Sequence, residues 1–68
     1  MKIKVNGEAR IIQGNKSISL KETMKLLGYS SNIVIVELNK LIINSDEWDN
    51  NFLKDGDNLE IVSIVGGG

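Results

Sequence analysis

The sequence predicts a small α+β domain in which one helix lies across one face of a mixed sheet. Three observations predict it. Two alternating runs meet at Asn6-Gly7, a single helix-length segment opens at Ser19 and closes at Gly28, and the second half holds apolar, β-branched runs separated by Asn39-Lys40 and Asp55-Gly56-Asp57.

The first run alternates Met1, Ile3 and Val5 with Lys2 and Lys4, the period of a strand with one buried and one wet face. Asn6-Gly7 then supplies the two positive-φ positions of a type I′ turn. Glu8-Ala9-Arg10-Ile11 resumes the alternation, so an antiparallel hairpin opens the domain, and Gly14-Asn15 ends it. Ser19 and Glu22 have capping-box spacing, with the serine hydroxyl accepting from the Glu22 amide and the glutamate reaching back to the Ser19 amide. Leu20, Met24 and Leu27 follow as one apolar stripe, with Lys21, Glu22 and Lys25 outside it and Thr23 weakening any staple with Ile18. Gly28 fits the left-handed position that closes a helix. Two turns of helix do not persist alone, so packing on a sheet must hold this one.

Residues 29–32 read as a loop and residues 33–38, Ile-Val-Ile-Val-Glu-Leu, as a strand with so little alternation that both faces are expected to be at least partly covered. Asn39-Lys40 is a weaker turn signal than Asn-Gly, and Leu41-Ile42-Ile43 is a short strand after it. Residues 44–48 read as a loop with a turn of helix, capped by Ser45, in which Trp48 plugs one end of the core in preference to binding a ligand. Phe52 and Leu53 anchor the return, and Asp55-Gly56-Asp57 makes a tight turn. In the last strand, residues 58–65, Leu59, Ile61 and Val65 share one parity and Glu60, Val62 and Ile64 the other. If the Leu59 face meets the helix, Val62 and Ile64 lie on the open face as a candidate docking surface; burial of a central strand is the competing reading.

Hairpin, helix, two strands and final strand form a ββαββ order, and a last strand returning parallel beside the first makes it a β-grasp. Residues 1–65 are then a single domain and residues 66–68, Gly66-Gly67-Gly68, a flexible tail that has no side chains to pack. A chain of 68 residues buries only about 60% of its unfolded surface. One small core is all it holds.

Composition removes most chemistry. With no cysteine and no histidine, thiol nucleophiles, disulfides, histidine bases and the usual zinc sites are excluded. No apolar stretch is long enough for a signal peptide or membrane span, and no dense basic run with interleaved aromatics supports nucleic-acid binding. A cytoplasmic protein without membrane or nucleic-acid partners is expected. The net charge of −1 hides an asymmetry, with six basic and two acidic side chains in the first 25 residues and two basic and seven acidic ones after them. Such polarity either steers a partner or reflects two differently solvated faces.

Three stretches carry a resemblance: Val5-Asn6-Gly7-Glu8; Val36-Glu37-Leu38-Asn39 with Trp48 following; and Leu53-Lys54-Asp55-Gly56-Asp57 through Glu60-Ile61-Val62 to Val65-Gly66-Gly67-Gly68. Their order and spacing resemble the ThiS-type sulfur-carrier proteins of thiamin thiazole biosynthesis, bacterial relatives of ubiquitin, over essentially the whole chain. The family often has glycine where Lys40 stands and proline near Asn44, whereas this chain has no proline, which puts the local turn geometry in question but not the tail.

The resemblance implies a carrier, not an enzyme. A ThiF-type adenylating enzyme would use ATP to convert the Gly68 carboxylate to an acyl adenylate, sulfur from a persulfide donor would displace AMP, and the Gly68 thiocarboxylate would serve a thiazole synthase. Gly66 and Gly67 would thread the partner's active site, since a backbone without Cβ fits a narrow channel. The chain itself would bind no cofactor or metal and would be a monomer when free. An α-carboxylate with a pKa of about 3.3 to 3.7 is ionised at neutral pH, as the attack on ATP requires. Molybdopterin-synthase small subunits of the MoaD type share the fold and the Gly-Gly end. A ubiquitin-like protein modifier and a plain interaction domain with an inert tail are the readings from other classes.

Overall fold

A computed structural model describes residues 1–13, 17–30 and 33–64. The chain opens with β1 (Lys2–Val5) and β2 (Glu8–Ile11), an antiparallel hairpin in which Val5 faces Glu8 across a two-residue turn. Asn6 and Gly7 take φ of 52° and 85°, the positive values that Asn-Gly signals. The expected alternation holds in β1, where Ile3 and Val5 are buried, but not in β2, which is exposed throughout; Ile12, one residue beyond, is the buried side chain. β2 is an edge strand. Gly14 and Asn15 lie outside the described residues.

A short β3 (Ile18–Ser19) leads into α1 (Leu20–Leu27). The Ser19 hydroxyl accepts from the Glu22 amide at 3.0 Å, so the serine half of the capping box is formed. At the other end Gly28, at φ 87°, donates to the Lys25 carbonyl and Tyr29 to that of Met24, the paired bonds of a Schellman close. Leu20 and Met24 are buried as the stripe requires, and Leu27 is half-buried. Thr23 is also buried, because its hydroxyl donates to the Ser19 carbonyl at 2.9 Å and needs no water.

The second half contributes β4 (Val34–Leu38), β5 (Leu41–Ile43), a 3₁₀ turn at Ser45–Asn50, β6 (Phe52–Leu53) and β7 (Asn58–Ser63). Five strands form the main sheet in the order β2-β1-β7-β4-β5, with β1 and β7 parallel and the other neighbours antiparallel. This is the expected β-grasp, with the last strand between the first hairpin and β4. The pair β3-β6 is a second, two-stranded sheet outside the expected order. It docks the start of the helix, because Leu20 then donates its amide to the Asn51 carbonyl at 2.7 Å.

Ile3, Val5, Val36, Leu59 and Ile61 cover one face of the sheet and meet Leu20 and Met24 of the helix in one core. Leu20, Leu53 and Leu59 keep no exposed surface, and each contributes about 1.5–3 kcal/mol by burial. Trp48 plugs the core as expected and donates its indole N–H to the Ile43 carbonyl at 3.1 Å. Three expectations need correction. Ser45 does not cap the 3₁₀ turn, which follows Asn44 with no side-chain cap bond. Phe52 is exposed, since adjacent strand residues point to opposite faces and Leu53 takes the inward position. Coverage of both faces of β4 fails at Ile35, where, among the described residues, no layer lies over the side of the sheet opposite the helix.

Candidate functional site

The open face of the sheet carries the candidate surface. Along β7 and its extension Ile64, the residues of one parity, Leu59 and Ile61, are buried under α1, so Val62 and Ile64 point the other way and are 58% and 52% exposed. The open-face exposure expected of these two residues is present. β4 carries its own contribution to it, because Ile35 pairs directly with Val62 across the ladder. Ile42 pairs with Glu37, one step further along, which places it on the same face at 65% exposure. Ile35, Ile42, Val62 and Ile64 thus form one apolar group, with a shallow groove running between Ile35 and Ile42.

Charge is arranged around that group by the same registers. Glu37 and Glu60 are partners in the β4-β7 ladder and lie on the open face beside it. Lys4 pairs with Asn58, one pleat further from Ile64, and Lys2 follows it down β1. Going toward the end of β7, the face therefore passes from lysines to carboxylates to apolar side chains. Two of the six early basic residues and two of the seven later acidic ones share this face.

Backbone bonds hold β7 in place. The Ile64 amide donates to the Ile33 carbonyl at 2.8 Å, so the strand stays paired to the last described residue before the tail. On the other flank, the Asn6 side-chain oxygen takes the Ile61 amide at 2.7 Å. Gly66, Gly67 and Gly68, expected to thread a partner and to carry the reacting carboxylate, lie outside the described residues, as does Val65. Among the described residues no group of three or more acidic side chains is placed to hold a metal ion, and no helix is long and apolar enough to cross a membrane.

Sequence reasoning found Val62 and Ile64 from parity alone and missed Ile35 and Ile42. The unbroken apolar run around Ile35 concealed its exposure, and only the strand register brings Ile42 alongside. Glu37 and Glu60 are 23 positions apart and carry no local signal of their pairing.

A mixed sheet in this order with one helix across it, left open on its other face along the last strand, defines a β-grasp domain. The comparisons with known proteins then place it within that class. The family model described as the ThiS family matches residues 3–68, and the chain belongs to that family. The crystal structure of the thiamine biosynthesis protein ThiS from Geobacter metallireducens superposes over the full length of both chains with a TM-score of 0.86 and 32% identity. The protein ycf40 of Pyropia yezoensis is 38% identical over 66 residues, 97% of this chain and 90% of that protein. A thiazole synthase of Paramagnetospirillum magneticum is 37% identical over 68 residues, the whole of this chain but 20% of that protein. Family membership supports a sulfur-carrier role in thiamine biosynthesis, in partnership with enzymes of that route.

Proposed function

We propose that the Gly68 carboxylate is the carrier group. A ThiF-type partner adenylates it with ATP, releasing pyrophosphate; the outer sulfur of a persulfide displaces AMP to give an acyl disulfide; and a second thiol attacks the donor-side sulfur, forming a disulfide with the donor and releasing the thiocarboxylate. The thiocarboxylate sulfur is then given to a thiazole synthase. Gly66 and Gly67 let the backbone enter a narrow channel and approach the nucleotide. Val62 and Ile64, joined by Ile35 and Ile42, form the face on which the partners dock. The nucleotide site and the catalytic groups belong to those partners, and this chain is their co-substrate.

One observation carries the reading: the family match runs through residue 68, so it includes the glycine tail as well as the folded body. The similarity of the whole chain to one fifth of a thiazole synthase favours thiazole formation over molybdopterin formation as the destination of the sulfur. Intact-mass measurement of the chain incubated with the adenylating enzyme, ATP and a persulfide donor tests it. The expected product has exchanged one carboxylate oxygen for sulfur, and a chain lacking Gly68 forms none. An unchanged mass in the full chain, or undiminished sulfur delivery by the chain without Gly68, overturns the assignment.

A further inference from the structure

The last strand is flanked on both sides for only part of its length. On the β4 side the ladder runs from Leu38-Leu59 to Val34-Ser63 and continues to the Ile64–Ile33 bond. On the β1 side the register holds only Lys4-Asn58 and Val5-Leu59. There the chain turns away at Asn6, whose amide donates to the Leu59 carbonyl at 2.8 Å and whose side-chain oxygen takes the Ile61 amide.

Direction follows from these bonds. Ile64 and Asn58 aim their backbone groups at β4, since the Ile64 amide donates to Ile33 and the Asn58 carbonyl accepts from Asn39. The odd-numbered residues between them face the β1 side. Beyond the Ile61 amide, the Ile61 carbonyl and the N–H and carbonyl of the exposed Ser63 therefore face a flank where, among the described residues, no strand lies. A row of unpaired strand groups is a template for another strand.

The side chains beside this flank indicate what fits it. Glu60 and Val62 stand two residues apart on the open face, the spacing at which alternate residues of an added strand also share that face. Glu60 lies opposite Glu37, an arrangement of like charges that disfavours itself. Among the described residues the only ion pair is the distant Lys21–Asp49 contact.

We propose that the adenylating enzyme adds an extended segment of its own to the β1 side of β7 at residues 61–64, with a basic side chain toward Glu60 and an apolar one, two positions on, over Val62. This rests on the carrier reading above and gives the docking face a backbone component. The added strand holds the last residues before the tail extended and aimed into the enzyme.

The test uses the full chain made by chemical synthesis, with the Ser63 backbone amide replaced by an ester that removes the N–H and keeps the shape, together with purified ThiF-type adenylating enzyme. Binding is measured by calorimetry, Ser63 amide exchange by NMR, and adenylation by pyrophosphate exchange. The expected result is a small drop in melting temperature, because the ester also weakens the Val62 carbonyl that faces β4, together with binding about tenfold weaker for the ester and slowed exchange of the wild-type Ser63 amide in the complex. Adenylation with equal affinity for the ester and an unprotected Ser63 amide overturns the strand addition and leaves the carrier reading standing. A protected Ser63 amide without adenylation does the reverse. Protection that rises with carrier concentration in the absence of enzyme assigns the edge to a second copy and overturns the proposal, and failure of the enzyme to bind overturns both.

Discussion

Two hairpin turns close on the last strand from opposite flanks, and they differ in one residue. Asn6-Gly7 joins β1 to β2 and Asn39-Lys40 joins β4 to β5, each a two-residue loop whose asparagine sits at φ 52°. Both asparagines reach β7: Asn6 takes the Ile61 amide at 2.7 Å and Asn39 the Asn58 amide at 2.9 Å. The second position is Gly7 at φ 85° in one turn and Lys40 at φ 73° in the other, where a side chain is strained. What permits Lys40 is the denser anchoring of its turn. Both asparagine amides donate to β7 carbonyls at 2.8 Å, Asn6 to Leu59 and Asn39 to Asn58, so the difference lies in the Asn39 side chain. Its Nδ2 donates at 3.1 Å to Asp57, a buried carboxylate that also accepts from the Lys54 amide at 2.9 Å. A turn tied to the body by its first residue tolerates a poor second residue.

Four substitutions separate the two turns, all read by urea denaturation. Asn39→Ala is expected to be the most damaging, at about 3 kcal/mol, because it strands the Asn58 amide, deprives buried Asp57 of a donor and leaves alanine at positive φ. Asn6→Ala loses one such bond, to Ile61, and is expected to cost about 2 kcal/mol. Equal losses in the two variants would break the argument that the Asp57 network carries the second turn. Gly7→Lys recreates in the first turn what the second already has; space is open there, with nothing within 4 Å of an added Cβ. Backbone strain alone should then cost about 1 kcal/mol, and an unaltered denaturation midpoint would show that φ does not govern this position. Lys40→Gly should stabilise by about 0.5–1 kcal/mol, which for a chain of this size raises the melting temperature by roughly 4 °C.

The same contrast shows how far local sequence reaches. Asn6-Gly7 announced its turn because glycine and asparagine are the residues that accept positive φ. Asn39-Lys40 formed a two-residue turn of the same kind with half the signal, so a lysine at the second position raises the strain without preventing the turn. The capping serine, the closing Gly28 and the inward Trp48 were legible for a similar reason, since each answers a need met within a few residues. β3 and β6 were not, because two-residue strands have no period to read and exist through pairing 35 and 33 positions apart, Ile18-Leu53 and Ser19-Phe52. Of the candidate surface, Val62 and Ile64 followed from parity. Ile35 and Ile42 needed the register, and the open flank of β7 needed the position at which Asn6 turns away.

By itself, the sequence determined the α+β class, the order of the main elements and the exclusion of cysteine and histidine chemistry. These follow from residue type and short-range spacing, which fix local backbone preference and side-chain parity. The tertiary structure alone decided which apolar side chains were left uncovered and where the last strand lost its neighbour. Strand pairing joins residues whose separation along the chain carries no periodic signal, and its energy comes from contacts that exist only once the sheet and helix have met.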